Sequence, residues 1–374
     1  MGFCIQLMLV LWLFGCTEDM EARQADESSS EPKLARRIPL PGVAGPVSSS
    51  GVRGRIDHLG YDPRTHYLYV AATENGSVEV LDLDKGERMK SLTGLKRPKS
   101  IAPVAATGQV VVVCGGEGAI RAYDAKTLEP QASASVGENA DNVRVDDQAN
   151  RLYVSCSGEA DSALVILDAK TLERVGKITL PARPASFQLE PAGHRIFVNL
   201  PGSRQGEADG LIGVANRKSA KLETTWKLEH LARNAPMACD PKHKRLYVAC
   251  RKPPVLIAVD MTSGKVTAKT ECVPESDDLF FDPQTNRVVV IGAAARATSS
   301  TQPASDQAGA QSGEEGAVDL FQVGDQGQLT RLGRARSAPH ARTGFLVSER
   351  HCVYVAVPPR EGHDAEIWEF RLPE

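Results

Sequence analysis

One arrangement of apolar and polar positions recurs along this chain. A turn, Asp62-Pro63-Arg64-Thr65-His66, leads into an apolar run, Tyr67-Leu68-Tyr69-Val70. Asp-Pro followed by polar residues is turn chemistry, and a short aromatic and β-branched run reads as a strand. The same offset from turn to strand centre joins Asp62 to Tyr69, Asp146 to Tyr153, Glu190 to Phe197, Asp240 to Tyr247 and Asp282 to Val289. Weaker copies join Ala105 to Val112 and Val347 to Tyr354. Repeats of about 40–45 residues predict a propeller or a solenoid.

Each unit contains four short runs. In the first they cover residues 58–61, 67–72, 77–83 and 88–92, with turns at Glu74-Asn75-Gly76 and Asp84-Lys85-Gly86. Asn-Gly between alternating runs is a hairpin signal. Later units echo the third run as Ile120-Arg121-Ala122-Tyr123-Asp124 and Leu164-Val165-Ile166-Leu167-Asp168. Four antiparallel strands joined by short turns make one propeller blade. Two hairpins are stretched, at residues 203–210 and 296–316, where additions cost little. The composition of 296–316, rich in Ala, Ser, Gln and Gly, predicts a disordered insertion.

The last unit supplies only three strands. Upstream, Arg37-Ile38-Pro39-Leu40-Pro41 resembles Lys177-Ile178-Thr179-Leu180-Pro181, the fourth run of the third unit. A segment near residues 34–40 is therefore expected to complete the final blade. Pro39 has no amide donor, which suits an outermost edge. The expectation is an all-β fold: a seven-bladed β-propeller of four-stranded antiparallel blades over residues 34–374, closed by an N-terminal strand.

The first residues follow another rule. Residues 2–15 are apolar apart from Gln6, a stretch too short to span a bilayer, which takes about 20 residues. It fits the core of a secretory signal. Leu13-Phe14-Gly15-Cys16 resembles a bacterial lipobox, so residues 1–16 are expected to be a signal peptide with lipidation at Cys16. Residues 17–33 are rich in Glu, Asp and Ser and poor in large apolar residues, the composition of a disordered tether. The expected location is the cell envelope, periplasmic or surface, with the membrane reached through the lipid.

Composition removes some function classes. A net charge of −3 provides no basic field, and 5% aromatic residues leave little for base stacking, so no nucleic-acid partner is expected. The six cysteines beyond residue 16 show no CxxC or CxxCH spacing. Several end apolar runs, so they read as buried free thiols. The sequence has no GxSxG elbow, HExxH, P-loop or EF-hand loop.

The Tyr-Val strands, the Asp-Pro turns and the Val-x-Val-Leu-Asp third strands resemble those of the YVTN-repeat, YncE-like propellers, over about residues 34–372. Arg55-Ile56-Asp57-His58, Asp141-Asn142-Val143-Arg144, Asp277-Asp278-Leu279-Phe280 and Ala341-Arg342-Thr343 are similar to that family's segments entering successive blades. The resemblance implies a binding or surface protein. Structurally similar seven-bladed rings include lactonases, which use a metal or acid–base residues at the ring centre.

The turn position also serves as a ruler. Counting back from it converges polar residues on one channel mouth: Asp57, His58, Lys99, Asp141, Asn142, Arg144, Asp277, Asp278, His340 and Arg342. The carboxylates offer hard oxygen ligands, the histidines metal-ligand or acid–base groups, and the cations partners for carboxylate or phosphate. The expected function is non-catalytic binding of a partner protein or small ligand at this mouth by a monomer without a cofactor. The alternative is a lactonase-like or other metal-dependent hydrolase, with a divalent metal in the same mouth. A third arrangement, polar residues that merely line a water-filled channel, stays open at this point.

Overall fold

The computed structural model describes residues 30–44, 54–158, 161–203, 207–294, 315–360 and 362–374. The expected signal peptide with Cys16, residues 17–29 of the expected tether and residues 296–314 of the expected insertion lie outside them. Its 28 strands form seven four-stranded antiparallel sheets. In six blades the strands follow in sequence order from the channel outward. The inner strands are Leu59–Asp62, Pro98–Val104, Val143–Asp146, Phe187–Leu189, Ala232–Asp240, Asp278–Asp282 and Thr343–Val347. Each touches the next, and the last touches the first, so the ring is closed.

Closure is made as the sequence predicts. The seventh blade takes its outer strand, Lys33–Leu40, from the N-terminal part of the chain. This strand pairs antiparallel with Ala365–Arg371, Ile38 opposite Ile367 and Leu40 opposite Ala365. It begins at Lys33, which pairs with Arg371 and so belongs to the blade, not to the tether. The third strand of blade 6 begins at Glu315, so Glu315 and Gly316 are strand rather than insertion.

The apolar pattern explains the packing. Residues of the second and third strands of each blade, such as Leu68, Val70 and Leu81, are fully buried because both sheet faces meet a neighbouring blade. The core is accordingly divided among seven clusters, one at each blade–blade junction. Outer strands such as Glu87–Leu92 alternate exposed with partly buried positions, since only one side is covered. Among the described residues no helix is long and apolar enough to cross a membrane.

The repeated turn holds a left-handed residue at its fifth position: His66 at φ 57°, Asn150 at 52°, Lys244 at 53° and Asn286 at 54°. In blade 2 that place is taken by Gly108, at φ 70°, whose amide donates to the Val104 carbonyl. Val104 pairs with Gln109 as Asp62 pairs with Tyr67. Val104, not Ala105, is therefore the counterpart of Asp62. The sequence misplaces this blade by one residue because no Asp marks its turn.

The six cysteines from Cys114 onward are unpaired, and all but the half-buried Cys239 are buried. Burial pushes the thiols of Cys114, Cys156, Cys239 and Cys250 up to about 12. We expect iodoacetamide to leave these four unmodified in the native protein near neutral pH and to label them in denaturant, read by peptide mass spectrometry. Rapid native labelling of Cys114 or Cys250 would contradict this packing.

Candidate functional site at the channel mouth

The corrected ruler defines two layers of inner-strand residues. Four residues before each turn stand His58, Ser100, Asn142, Ser186, Pro236, Asp278 and Thr343. Two residues further along, Gly60, Ala102 and Ala238 leave room, while Arg144, Gln188, Phe280 and Phe345 occupy it. Side chains of one strand alternate in direction, so both layers share one facing. All of these but Thr343 line a cavity of about 440 Å³.

The charged groups of the mouth form two linked clusters. In the first, Asp57 is 4% exposed and accepts from Lys99 Nζ at 2.8 Å, with Arg55 Nη2 at 3.1 Å and His58 Nε2 at 3.6 Å. The other ring nitrogen, His58 Nδ1, lies 2.9 Å from Asp278 Oδ1. That bond joins blade 1 to blade 6 past the intervening inner strand of blade 7. Asp278 Oδ2 accepts from the Gly344 amide at 2.9 Å, so both of its oxygens are engaged. In the second cluster, Asp277 is held by Arg251 and by Arg342 Nε at 2.6 Å. Arg251 also approaches Glu275 at 3.7 Å, and Glu275 receives a two-bond fork from Arg233 at 2.8 and 2.9 Å.

These contacts set the protonation states. Burial raises the Asp57 carboxyl, but Lys99, Arg55 and His58 outweigh it and hold the group well below the usual carboxylate range. Burial lowers His58, but Asp278, Asp57 and Asp141 outweigh that and push it up to about 10. His58 is therefore an imidazolium near neutral pH. Burial likewise raises Asp277, and Arg251 and Arg342 overcome it, so this group too is lowered.

Arg144 differs from the other cations. Its Nη1 donates to its own neighbour's carbonyl, Val143 O, at 2.8 Å, and its Nη2 to Ser186 Oγ at 3.3 Å. Its guanidinium lies 5.4 Å from the Phe187 ring centroid. Burial lowers its pKa, which for a guanidinium still leaves the charge in place. Among the described residues it has no carboxylate at ion-pair distance.

Most of the residues expected at the mouth are thus brought together: Asp57, His58, Lys99 and Asp278 in one cluster, Asp277 and Arg342 in the other. Asn142 and Arg144 line the cavity. Asp141 stands within ligand distance of Asp57 and His58 but makes no ion pair among the described residues. His340 occupies a left-handed turn at φ 60°, and among the described residues no hydrogen bond or ion pair joins it to the clusters. The ruler missed Arg55, Arg251, Arg233 and Glu275. Arg55 was legible, two residues before Asp57. Arg251 ends a second strand, so its sequence position does not announce the mouth.

Asp57, His58 and Asp141 can place one ligand atom each within 4.8 Å of one another, the spacing of a metal triad. Their chemistry fits poorly. Both His58 ring nitrogens already face carboxylates, Asp278 at 2.9 Å and Asp57 at 3.6 Å, and Asp57 is engaged by two cations. A larger groove of about 520 Å³ lies on the opposite face between blades 3 and 4. Its Arg217 and Asp146 close on each other at 2.5 Å, and Arg217 also donates to the Glu190 carbonyl.

No family model and no curated protein matches this sequence. Solved structures do resemble it. A chain from the crystal structure of a mitotic checkpoint complex aligns with TM-score 0.68 at 11% identity, covering 100% of this chain and 98% of its own. Hydrazine synthase from Kuenenia stuttgartiensis aligns with TM-score 0.67 at 13% identity, covering 84% of this chain and 93% of its own. At such identities the likeness is one of fold alone: this chain is a seven-bladed β-propeller.

Proposed function

We propose that this protein is a non-catalytic binding module that takes a small anionic ligand in its central channel. The observation that carries the reading is Arg144. Lys99, Arg55, His58, Arg251 and Arg342 each have a carboxylate partner, but Arg144 faces the channel cavity without one. A cation that lines a cavity without an ion pair, and feels only the more distant Asp278, can take an external anion. Asp141 is also without an ion pair among the described residues, but it lies outside the cavity lining. The cavity size falls within the ~300–1,000 Å³ usual for small-ligand sites.

The metal-dependent hydrolase reading is the weaker of the two, because the donors it requires are spent on ion pairs. Two measurements on the purified chain separate them. We expect small carboxylates or phosphate to raise the melting temperature of the natural protein and not that of Arg144→Met. We expect equilibrium dialysis against zinc or manganese to show no stoichiometric uptake. Stoichiometric metal lost in a His58→Gln variant, with no anion-dependent stabilisation, would reverse the assignment.

The sequence of residues 1–16 supports an envelope location with a lipid on Cys16. In a bacterial host, labelled fatty acid is expected to enter the natural chain and not Cys16→Ser; equal labelling of both would remove the anchor. A propeller presented in this way also offers broad loop surfaces to a protein partner, the other occupant consistent with the fold.

A further inference from the structure

The ligand class can be narrowed, on the reading that the channel binds an anion. Arg144 shares its cavity with an aromatic wall. Phe280 and Phe345 come from neighbouring blades, and their ring centroids lie 5.3 Å apart at 56°. Tyr61 extends the group, its ring 6.4 Å from that of Phe345. Both phenylalanines are only partly buried, and both line the cavity. Three features distinguish this wall from ordinary core.

First, the aromatic residues stand where other blades place small or polar ones. The same inner-strand position holds Gly60, Ala102 and Ala238 elsewhere in the ring. Phenyl rings on the channel axis leave apolar surface facing the cavity that the fold itself does not cover. Second, the lining near Arg144 is free of carboxylates: it mixes the neutral polar Asn142, Ser186 and Gln188 with the apolar Val145 and Leu189. Third, the carboxylate next to the wall is committed. Asp278 precedes Phe280 by two residues, and its oxygens are used by His58 and the Gly344 amide. The wall therefore has no unpaired negative charge to repel an anion, while blade 3 presents a guanidinium that has hydrogen bonds but no ion pair.

The geometry points to a small monoanion with an aromatic body as the ligand: its carboxylate, or an equivalent acidic head, against Arg144, and its ring against Phe280 and Phe345. The guanidinium fork recognises a planar anion by paired N–H donors. The phenylalanine pair receives a flat apolar ring by offset or edge contacts. Ser186 and Asn142, which line the cavity beside Arg144, supply neutral polar groups that orient the head without adding charge.

The test uses the purified chain and four probes of known structure: benzoate, acetate, benzyl alcohol and inorganic phosphate, titrated by calorimetry or saturation-transfer NMR. Benzoate is expected to bind at least tenfold more tightly than acetate, phosphate or benzyl alcohol. Arg144→Met should weaken benzoate at least tenfold and leave benzyl alcohol unchanged. Phe280→Leu should weaken benzoate severalfold and leave acetate unchanged. Arg144→Gln provides a second charge-removing variant should the first fold poorly. If acetate or phosphate binds as tightly as benzoate through Arg144, the aromatic assignment falls while anion binding stands. If benzyl alcohol matches benzoate, the role of the charge falls. If no anion responds to either Arg144 variant, both readings fall.

Discussion

A chain lacking residues 30–40 is expected to lose its cooperative melting transition and to aggregate. The strand Lys33–Leu40 contributes Ile38 and Leu40, both 0% exposed, to the cluster that joins blade 7 to blade 1. Loss of a buried aliphatic side chain costs ~2–5 kcal/mol, and two are removed. Arg36 also holds Glu369, 8% exposed, through two bonds of 2.9 and 2.6 Å, while Arg37 stacks 4.4 Å from the Trp368 ring. Deletion strands a mostly buried carboxylate and bares the edge of Ala365–Arg371 to other chains. The sum rivals the ~5–15 kcal/mol that holds a typical domain. Circular dichroism and size-exclusion chromatography measure the result, with Ile38→Ala as the milder partner, expected to cost ~2–4 kcal/mol. A deletion variant that stays monomeric and melts within a few degrees of the full chain would show the closing strand to be dispensable.

The second large effect is on stability against pH. His58 is raised in the folded state from 6.5 to about 10 by Asp278, Asp57 and Asp141 against its burial. A group raised on folding stabilises fully below its unfolded value and loses that contribution as pH climbs through the folded one. Stability should therefore fall between about pH 6.5 and 10. Asp57 is lowered, so its contribution is present above its unfolded value near 3.8 and is lost as pH falls below that. The two leave a plateau of stability from roughly pH 4 to 6.5. A shift of this size has a linkage ceiling of about 5 kcal/mol, and solvent in the open channel lowers the expectation to ~2–3 kcal/mol. Denaturant unfolding at about pH 6 and about pH 9.5 should show that loss in the natural protein and much less of it in His58→Gln. Equal losses in both would place the alkaline sensitivity elsewhere.

The fold was legible because one physical device, a turn with a left-handed fifth residue followed by a buried run, repeats with a fixed offset. Even the closing strand could be read, from the likeness of Ile38-Pro39-Leu40 to Ile178-Thr179-Leu180. Reading failed where the marker was missing. Blade 2 has Val104-Ala105 in place of Asp-Pro, and its register slipped by one residue, placing Ile101 where Ser100 belongs. The candidate site was legible in proportion to its nearness to the ruler. Asp57, His58, Asp277 and Asp278 lie on it, whereas Arg251 reaches Asp277 from the far end of a second strand, a proximity that exists only once the ring has closed. His340 was close in sequence but is turned by a left-handed backbone into a different loop. Phe280 and Phe345 lie on the same ruler, two residues further along, where an aromatic residue on an inner strand reads as ordinary core.

The closing strand has a direction, and the direction orients the molecule. Inner strands run away from the mouth, since Asp57 and His58 precede the first of them. Strands alternate, so every fourth strand starts at the opposite face. Lys33 therefore begins at the face bearing the Asp62-type turns, and just before it Ser30 bonds to Leu332 O on the outer strand of blade 6. The described N-terminal end and the candidate mouth therefore lie on opposite faces of the ring, so a change at the closing strand and a change at the site can be made independently of each other.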